Sequence, residues 1–263
     1  MQKESAKMER NATAEILLAN DSVNGEELIP FGMFDESSQT NSKVCWSKTN
    51  ELKYTDEAIV KRVYALARDL DKILRDNHIT YWTSSGTTLG CVRHRGLIPW
   101  DDDLDICVNQ EDENKLQNIQ NILHSKGYKI CEAESFGYRI FHESNSDPIE
   151  SELLKYRYPF CDVYVMAKNK KKTKCFIAAA AGRVLWPEEY YFVKDIEKLE
   201  RRLFGDLFLN CPSNAEKYLS RYYGEDWDKI GATHNYDHIT REYINPVSFE
   251  LLNHHFQPAM PFQ

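Results

Sequence analysis

Residues 81–108, YWTSSGTTLGCVRHRGLIPWDDDLDICV, place carboxylates inside a β-type apolar segment, and few folds can accommodate that. A polar turn, Ser84-Ser85-Gly86-Thr87, follows a short aromatic run, and the basic cluster Arg93-His94-Arg95 comes next. Pro99-Trp100 then leads into Asp101-Asp102-Asp103-Leu104-Asp105, which passes directly into Ile106-Cys107-Val108. Buried unpaired charge is costly, so such groups coordinate a metal, pair with a cation or shift their pKa. On an extended strand, positions two apart project from one face. Asp103 and Asp105 therefore point together into one site, while Leu104 and Ile106 point into the core. Asp101 joins them if the strand starts early.

That arrangement suits Mg2+ or Mn2+. Magnesium is a hard ion, held by one or two carboxylates together with substrate phosphates. Most Asp runs are solvated turns, but these aspartates interrupt a strand pattern rather than a loop pattern. An EF-hand register fails. Counted from Asp101, position six is Ile106 instead of Gly and position twelve is Asp112 instead of Glu.

The segment Gly86-Thr87-Thr88-Leu89-Gly90-Cys91-Val92-Arg93-His94, followed by Ile98-Pro99-Trp100-Asp101-Asp102-Asp103-Leu104-Asp105, resembles the LicD family. That family includes bacterial phosphocholine transferases and the animal proteins fukutin and fukutin-related protein. Two later stretches look similar as well: Leu203-Phe204-Gly205-Asp206-Leu207, and Tyr218-Leu219 through Tyr223-Gly224-Glu225-Asp226-Trp227. The resemblance runs from about Thr55 to about Trp227.

Composition narrows the field. A chain of 263 residues, 42% hydrophobic, can bury a proper core in one large domain or two small ones. The net charge of −8 argues against a general nucleic-acid or acidic-membrane surface. The seven cysteines are an odd number with no C-x-x-C pair, so seven free thiols and no zinc are expected. No apolar run is long enough to span a membrane. Ala12–Ala19 is a poor signal peptide because it is short and carries Glu15. The sequons at Asn11 and Asn20 carry little weight without a secretory signal. A cytoplasmic location is the expectation.

Residues 1–50 are polar and weakly periodic and read as a flexible segment. A single domain is expected over 51–263, with a palm over about 55–180 and a C-terminal part over about 181–263. Thr55 is read as the cap of an amphipathic helix running to Asn77 on Ile59, Val63, Leu66, Leu70 and Ile73. Strands are expected over Ile79–Thr83, Asp103–Val108, Tyr128–Ala133, Phe136–His142 and Phe160–Val165, with a helix over Gly86–Arg93 and a covering helix over Glu111–Lys126. Glu143–Glu152 and the basic run Lys168–Lys174 read as surface turns. A hairpin is expected around Gly205-Asp206, and a Ser213-x-x-Glu216 capping box opening a helix from Asn214 to Tyr223. His234-Asn235-Tyr236-Asp237-His238 has metal-ligand residue types but reads as a surface segment, a weak candidate for acceptor contact. Phe160–Val165 carries one Asp, Asp162, the third carboxylate of a metal-dependent site; pairing with a nearby Arg is the competing explanation.

The order of elements resembles a nucleotidyltransferase palm. The expected fold class is α/β (α+β), a mixed central sheet flanked by helices with a helical C-terminal part. The resemblance implies transfer of a phosphorylated alcohol, such as phosphocholine or a polyol phosphate. The donor would be CDP-linked and the acceptor a sugar hydroxyl of a glycan or glycoconjugate. In that reading Asp103 and Asp105 hold the metal, and Asp162 is a third ligand or the base. Ser85, Gly86 and Thr87 contact donor phosphates through backbone N–H groups at a helix start. Arg93 neutralises phosphate charge or serves as a structural partner of the Asp run, with His94 beside it. A true nucleotidyltransferase on the same palm, and a binding module that kept the fold without activity, are the alternatives.

Overall fold

The amphipathic run after Thr55 forms α1 (Glu57–Asp76), and its stripe of Ile59, Val63, Leu66, Leu70 and Ile73 is buried. Its cap is Asp56, whose carboxylate accepts the Ala58 N–H at 2.7 Å. The expected cap, Thr55, instead donates its hydroxyl to the Asp101 carbonyl at 2.8 Å and tethers the helix start to the acidic turn. The computed structural model describes residues 52–149, 155–234, 236–242 and 244–262. The N-terminal segment expected to be flexible, with the patch Ala12–Ala19 and both sequons, lies outside the described residues.

After α1 come β1 (Tyr81–Thr83), α2 (Ser85–Leu89) with a π turn over Gly90–His94, and β2 (Leu104–Asn109). The covering helix is broken at Ile119 into α3 (Glu113–Asn118) and α4 (Gln120–Ser125), which still bury Leu116 and Leu123. Then follow β3 (Tyr128–Ala133), β4 (Gly137–His142), the two-residue pair β5 (Asp147–Pro148) and β6 (Arg157–Tyr158), and β7 (Phe160–Lys168). β8 (Lys174–Ile177), α5 (Ala180–Leu185), β9 (Tyr190–Phe192) and α6 (Val193–Ile196) lead to the hairpin β10 (Glu200–Phe204) and β11 (Leu207–Cys211). The last elements are α7 (Ala215–Tyr223), β12 (Ile230–Ala232), β13 (Ser248–Glu250) and a 3-10 turn at Asn253–Phe256.

The main sheet has seven strands in the order β1-β2-β7-β4-β3. β8 shares the β4 edge of β7 and carries β9 beyond it. Only β2 and β7 run parallel among these pairs, so the sheet is mixed. β7 is central because Phe160–Met166 is buried without a break, the pattern of a strand covered on both faces. The sheet reaches Phe192, beyond the expected end of the palm near residue 180.

The Gly205 turn of the β10–β11 hairpin has φ +69°, a left-handed conformation that glycine adopts without steric cost. The expected capping box does not form. Ser213 donates its hydroxyl to the Asp195 carbonyl, and Glu216 pairs with Arg202 at 2.7 Å. The helix stops at Gly224 as its composition predicts.

Candidate active site

Register builds the site. In the parallel pair Asp105 stands opposite Asp162, and in the antiparallel pair on the other edge of β7 Arg139 stands opposite Asp162. Cross-strand partners share a face, so the three side chains project together. Asp103 enters from the residue before β2. Ligand oxygens of Asp103, Asp105 and Asp162 all lie within 4.8 Å of one another, and those of Asp101, Asp102 and Asp103 form a second such group. The loop-strand alternation read from the sequence thus brings Asp103 and Asp105 together, and the sheet adds Asp162.

Asp162 has a partner that sequence reasoning offered only as an unnamed Arg. Arg139 grips it with Nε on Oδ1 at 2.6 Å and Nη2 on Oδ2 at 2.9 Å. The guanidinium lies in the corner formed by the rings of Tyr156 and Phe160, whose centres are each 4.1 Å from its carbon and whose planes are 86° apart. Contact with aromatic rings and the two-pronged grip both favour Arg over Lys. The detectable signal was alternation in GYRIFH, where Tyr138 and Ile140 are buried and Arg139 falls on the opposite face.

The acidic turn is electrostatically loaded. Burial pushes the carboxyl of Asp105 well above its usual range, and Asp103, Asp162 and Asp101 add to the effect. Asp101 is raised in the same sense by burial and by Asp103 and Asp102. Burial carries Asp103 up to about 7 against the pull of the imidazole of His238. Asp102 goes the other way. Burial would raise it, but His238 outweighs that and holds it at about 2. His238 Nδ1 lies 2.9 Å from Asp102 Oδ1, its Nε2 lies 3.9 Å from Asp103 Oδ2, and the Tyr158 hydroxyl donates to Asp102 Oδ2 at 2.8 Å. Asp102 opposes burial on the imidazole in turn and lifts it to about 9. The segment expected at the surface therefore places one of its histidines against the acidic run. Asn235 lies outside the described residues.

The polar turn beside this group is tightly built. Ser84 N–H donates to the Asp105 carbonyl at 3.0 Å, and Asp105 N–H donates to the Thr87 hydroxyl oxygen at 2.8 Å. Ser85 adopts φ +39°, and its N–H donates to the Tyr218 hydroxyl at 2.9 Å. A Cβ on Gly86 would sit 2.5 Å from Asp101 Oδ2, so the acidic turn and the polar turn touch there and a larger residue would displace the Asp101 carboxylate. Ser85 and Thr87 are buried, and Gly86 is the more open member of the turn.

Arg93 and His94 are placed otherwise. Arg93 Nη1 donates to the carbonyls of Trp227 and Ile230 at 2.5 and 3.2 Å, fastening the C-terminal segment. Burial lowers its pKa to about 10. His94 packs edge-on against Trp100, with ring centres 5.6 Å apart. Burial, then the neighbouring Arg93, press it down to about 3. Arg93 thus ties the π turn to the C-terminal segment within reach of the charge of Asp101, while the buried Nε2 of His94 has no hydrogen-bond partner among the described residues. Six cysteines fall among the described residues, all as free thiols, while Cys45 lies outside them.

Residues 78–214 match the family model described as LicD/FKTN/FKRP, nucleotidyltransferase domain. An uncharacterised protein of Rickettsia prowazekii is 30% identical over 203 residues, covering 76% of this chain and 69% of that protein. The human protein named ribitol 5-phosphate transferase FKRP is 26% identical over 179 residues, 66% of this chain but only 33% of that protein. Among solved structures, the lincomycin-bound lincosamide antibiotic adenylyltransferase LnuA is similar with a TM-score of 0.38 and 15% identity, covering 66% of this chain and 97% of that one.

Proposed function

Because this chain belongs to the LicD family, we propose that it is a metal-dependent transferase acting on a CDP-linked alcohol. The transferred group would be phosphocholine or a polyol phosphate, and the acceptor a sugar hydroxyl of a glycan or glycoconjugate. The observation that carries the reading is the convergence of Asp103, Asp105 and Asp162, with ligand oxygens within 4.8 Å of one another.

The donor set is all oxygen and anionic, which fits Mg2+ or Mn2+ and no soft metal. Asp103, Asp105 and Asp162 would hold the ion, with Asp101 next to them. When bound, such an ion neutralises charge on donor phosphates and orients the attacking and leaving oxygens. The protein supplies the rest. Thr87 holds the Asp105 backbone, and Arg139 fixes the Asp162 carboxylate in one orientation. In this reading Gly86 and the Ser85 side chain would face the donor phosphates, since the Ser85 N–H expected to bind them is taken by Tyr218, while Thr87 serves mainly to position Asp105.

In the reaction the acceptor oxygen forms a bond to the phosphorus that bears the alcohol. The bond from that phosphorus to the bridging oxygen breaks, CMP leaves, and the hydroxyl proton passes to a carboxylate of the group. The test is mass spectrometry of products from a panel of cytidine-diphospho donors and sugar acceptors with Mg2+. CMP together with a phospho-alcohol on the acceptor is expected. A nucleotidylated acceptor with release of free phospho-alcohol from the same donors, or with release of pyrophosphate when CTP is supplied instead, would replace this reading with nucleotide transfer, and absence of donor binding and turnover would leave a non-catalytic module. No helix among the described residues is long and apolar enough to cross a membrane.

A further inference from the structure

Glu189 is buried behind the polar turn, with only 2% of its surface exposed, and it is not one of the aspartates of the site. A carboxylate in such a place is costly unless donors converge on it. They do. The Ser84 hydroxyl donates to Oε1 at 2.7 Å and the Tyr218 hydroxyl to Oε2 at 2.6 Å. Tyr191 donates to Ser84 Oγ at 3.1 Å and stacks on Tyr218, with ring centres 4.8 Å apart. Because the Tyr218 proton is committed to Glu189, its oxygen is left to accept the Ser85 N–H at 2.9 Å.

This order of donors matters because Ser85 stands at φ +39°. A non-glycine residue there is strained and persists only when its surroundings impose it. One flank of the turn is tied to Asp105 through Ser84 and Thr87. The other flank is tied to Glu189 through Tyr218. We infer that Glu189 is a positioning residue, whose two oxygens order the hydroxyls of Ser84 and Tyr218 and so hold the Ser85–Gly86 turn where it meets the donor. The inference rests on the donor reading given above.

The 263-residue chain tests it, with cytidine diphosphate as the probe. Wild type, Glu189→Gln and Tyr218→Phe are compared by calorimetry with cytidine diphosphate and Mg2+, by Mn2+ titration alone, and by melting. A glutamine keeps the shape of Glu189, but its amide nitrogen cannot accept, so one of the two hydroxyls must turn. Tyr218→Phe removes the link and keeps the packing, and it carries the test if Glu189→Gln does not fold. Both variants are expected to bind cytidine diphosphate about tenfold more weakly or worse, the size of one charge-assisted hydrogen bond. Mn2+ affinity should stay within about twofold, since sheet register holds the three aspartates. Equal cytidine diphosphate affinity in all three proteins overturns the inference and leaves the donor reading intact. A parallel loss of Mn2+ binding and melting temperature also overturns it, making Glu189 an ordinary structural residue. A wild-type protein that binds no cytidine diphosphate sinks the donor reading and this inference together.

Discussion

Asp105 and Asp162 face each other across one ladder step, yet they sit in opposite energetic situations. Burial pushes the carboxyl of Asp105 up, and four carboxylates, those of Asp103, Asp162, Asp101 and Glu189, add to the effect. Asp162 is matched by the guanidinium of Arg139, with both side chains largely buried. Removing one charge therefore has opposite effects on the two. Asp105→Asn should abolish turnover and leave the melting temperature of the metal-free protein equal or higher, because repulsion is relieved. Asp162→Asn should also cost activity, but it leaves a buried guanidinium without its counter-charge. That costs roughly 2–4 kcal/mol, or about 5–10 °C in a chain of this size. Turnover and melting measured together decide the matter. Near-normal turnover in Asp105→Asn rules out the proposed site, and a stabilised Asp162→Asn contradicts the Arg139 pairing.

At the scale of elements, Asp71 does for α1 what Arg139 does for the sheet. Its carboxylate accepts from Tyr81 of β1 at 2.5 Å and from Arg201 of β10 at 2.5 and 3.0 Å, and it also pairs with Arg75 at 2.9 Å. One buried group thus joins a helix, the sheet edge and the later hairpin. Burial would raise its pKa, but Arg201, Arg75 and Tyr81 hold it below the ordinary carboxylate value. A depressed carboxyl stabilises the fold above its unfolded pKa, about 3.9, and the contribution fades as pH falls through the lower folded value. Asp71→Asn should therefore lose about 2 kcal/mol at neutral pH, discounted for the partial exposure of both arginines. The melting gap to wild type should stay constant above about pH 5 and close below about pH 4. A gap that widens in acid would show that the pairing has been misjudged.

At the scale of the whole molecule, the C-terminal segment is wired into the site at several points. Arg93 holds the carbonyls of Trp227 and Ile230, Tyr64 donates to the Ala259 carbonyl at 3.1 Å, and His238 reaches Asp102 across 136 residues of sequence. His238→Ala removes one of the two side-chain partners of a buried Asp102. It should lower the melting temperature and free the segment 236–242 from the acidic turn. Trypsin should then cut after Arg241 faster than in wild type. Unchanged cleavage and melting would show that the segment is held by its backbone alone.

Side-chain alternation along a strand is a local property, so the pairing of Asp103 with Asp105 and the core roles of Leu104 and Ile106 could be read from sequence. The same holds for α1, for most strands and for the turn at Gly205. Local reading failed where two short-range signals competed. Thr55 and Asp56 could each cap α1, and Ser213 took a distant carbonyl instead of closing a capping box. What sequence could not determine is which strands become neighbours. Asp162 reaches Asp105 only because its unbroken apolar strand is driven to the centre of the sheet, and Arg139 only because β4 takes the other edge. Glu189 and His238 sit in strings that carry no periodic signal at all. Their partners come from the packing of the entire core, where burial makes each unpaired polar group costly enough to select one arrangement.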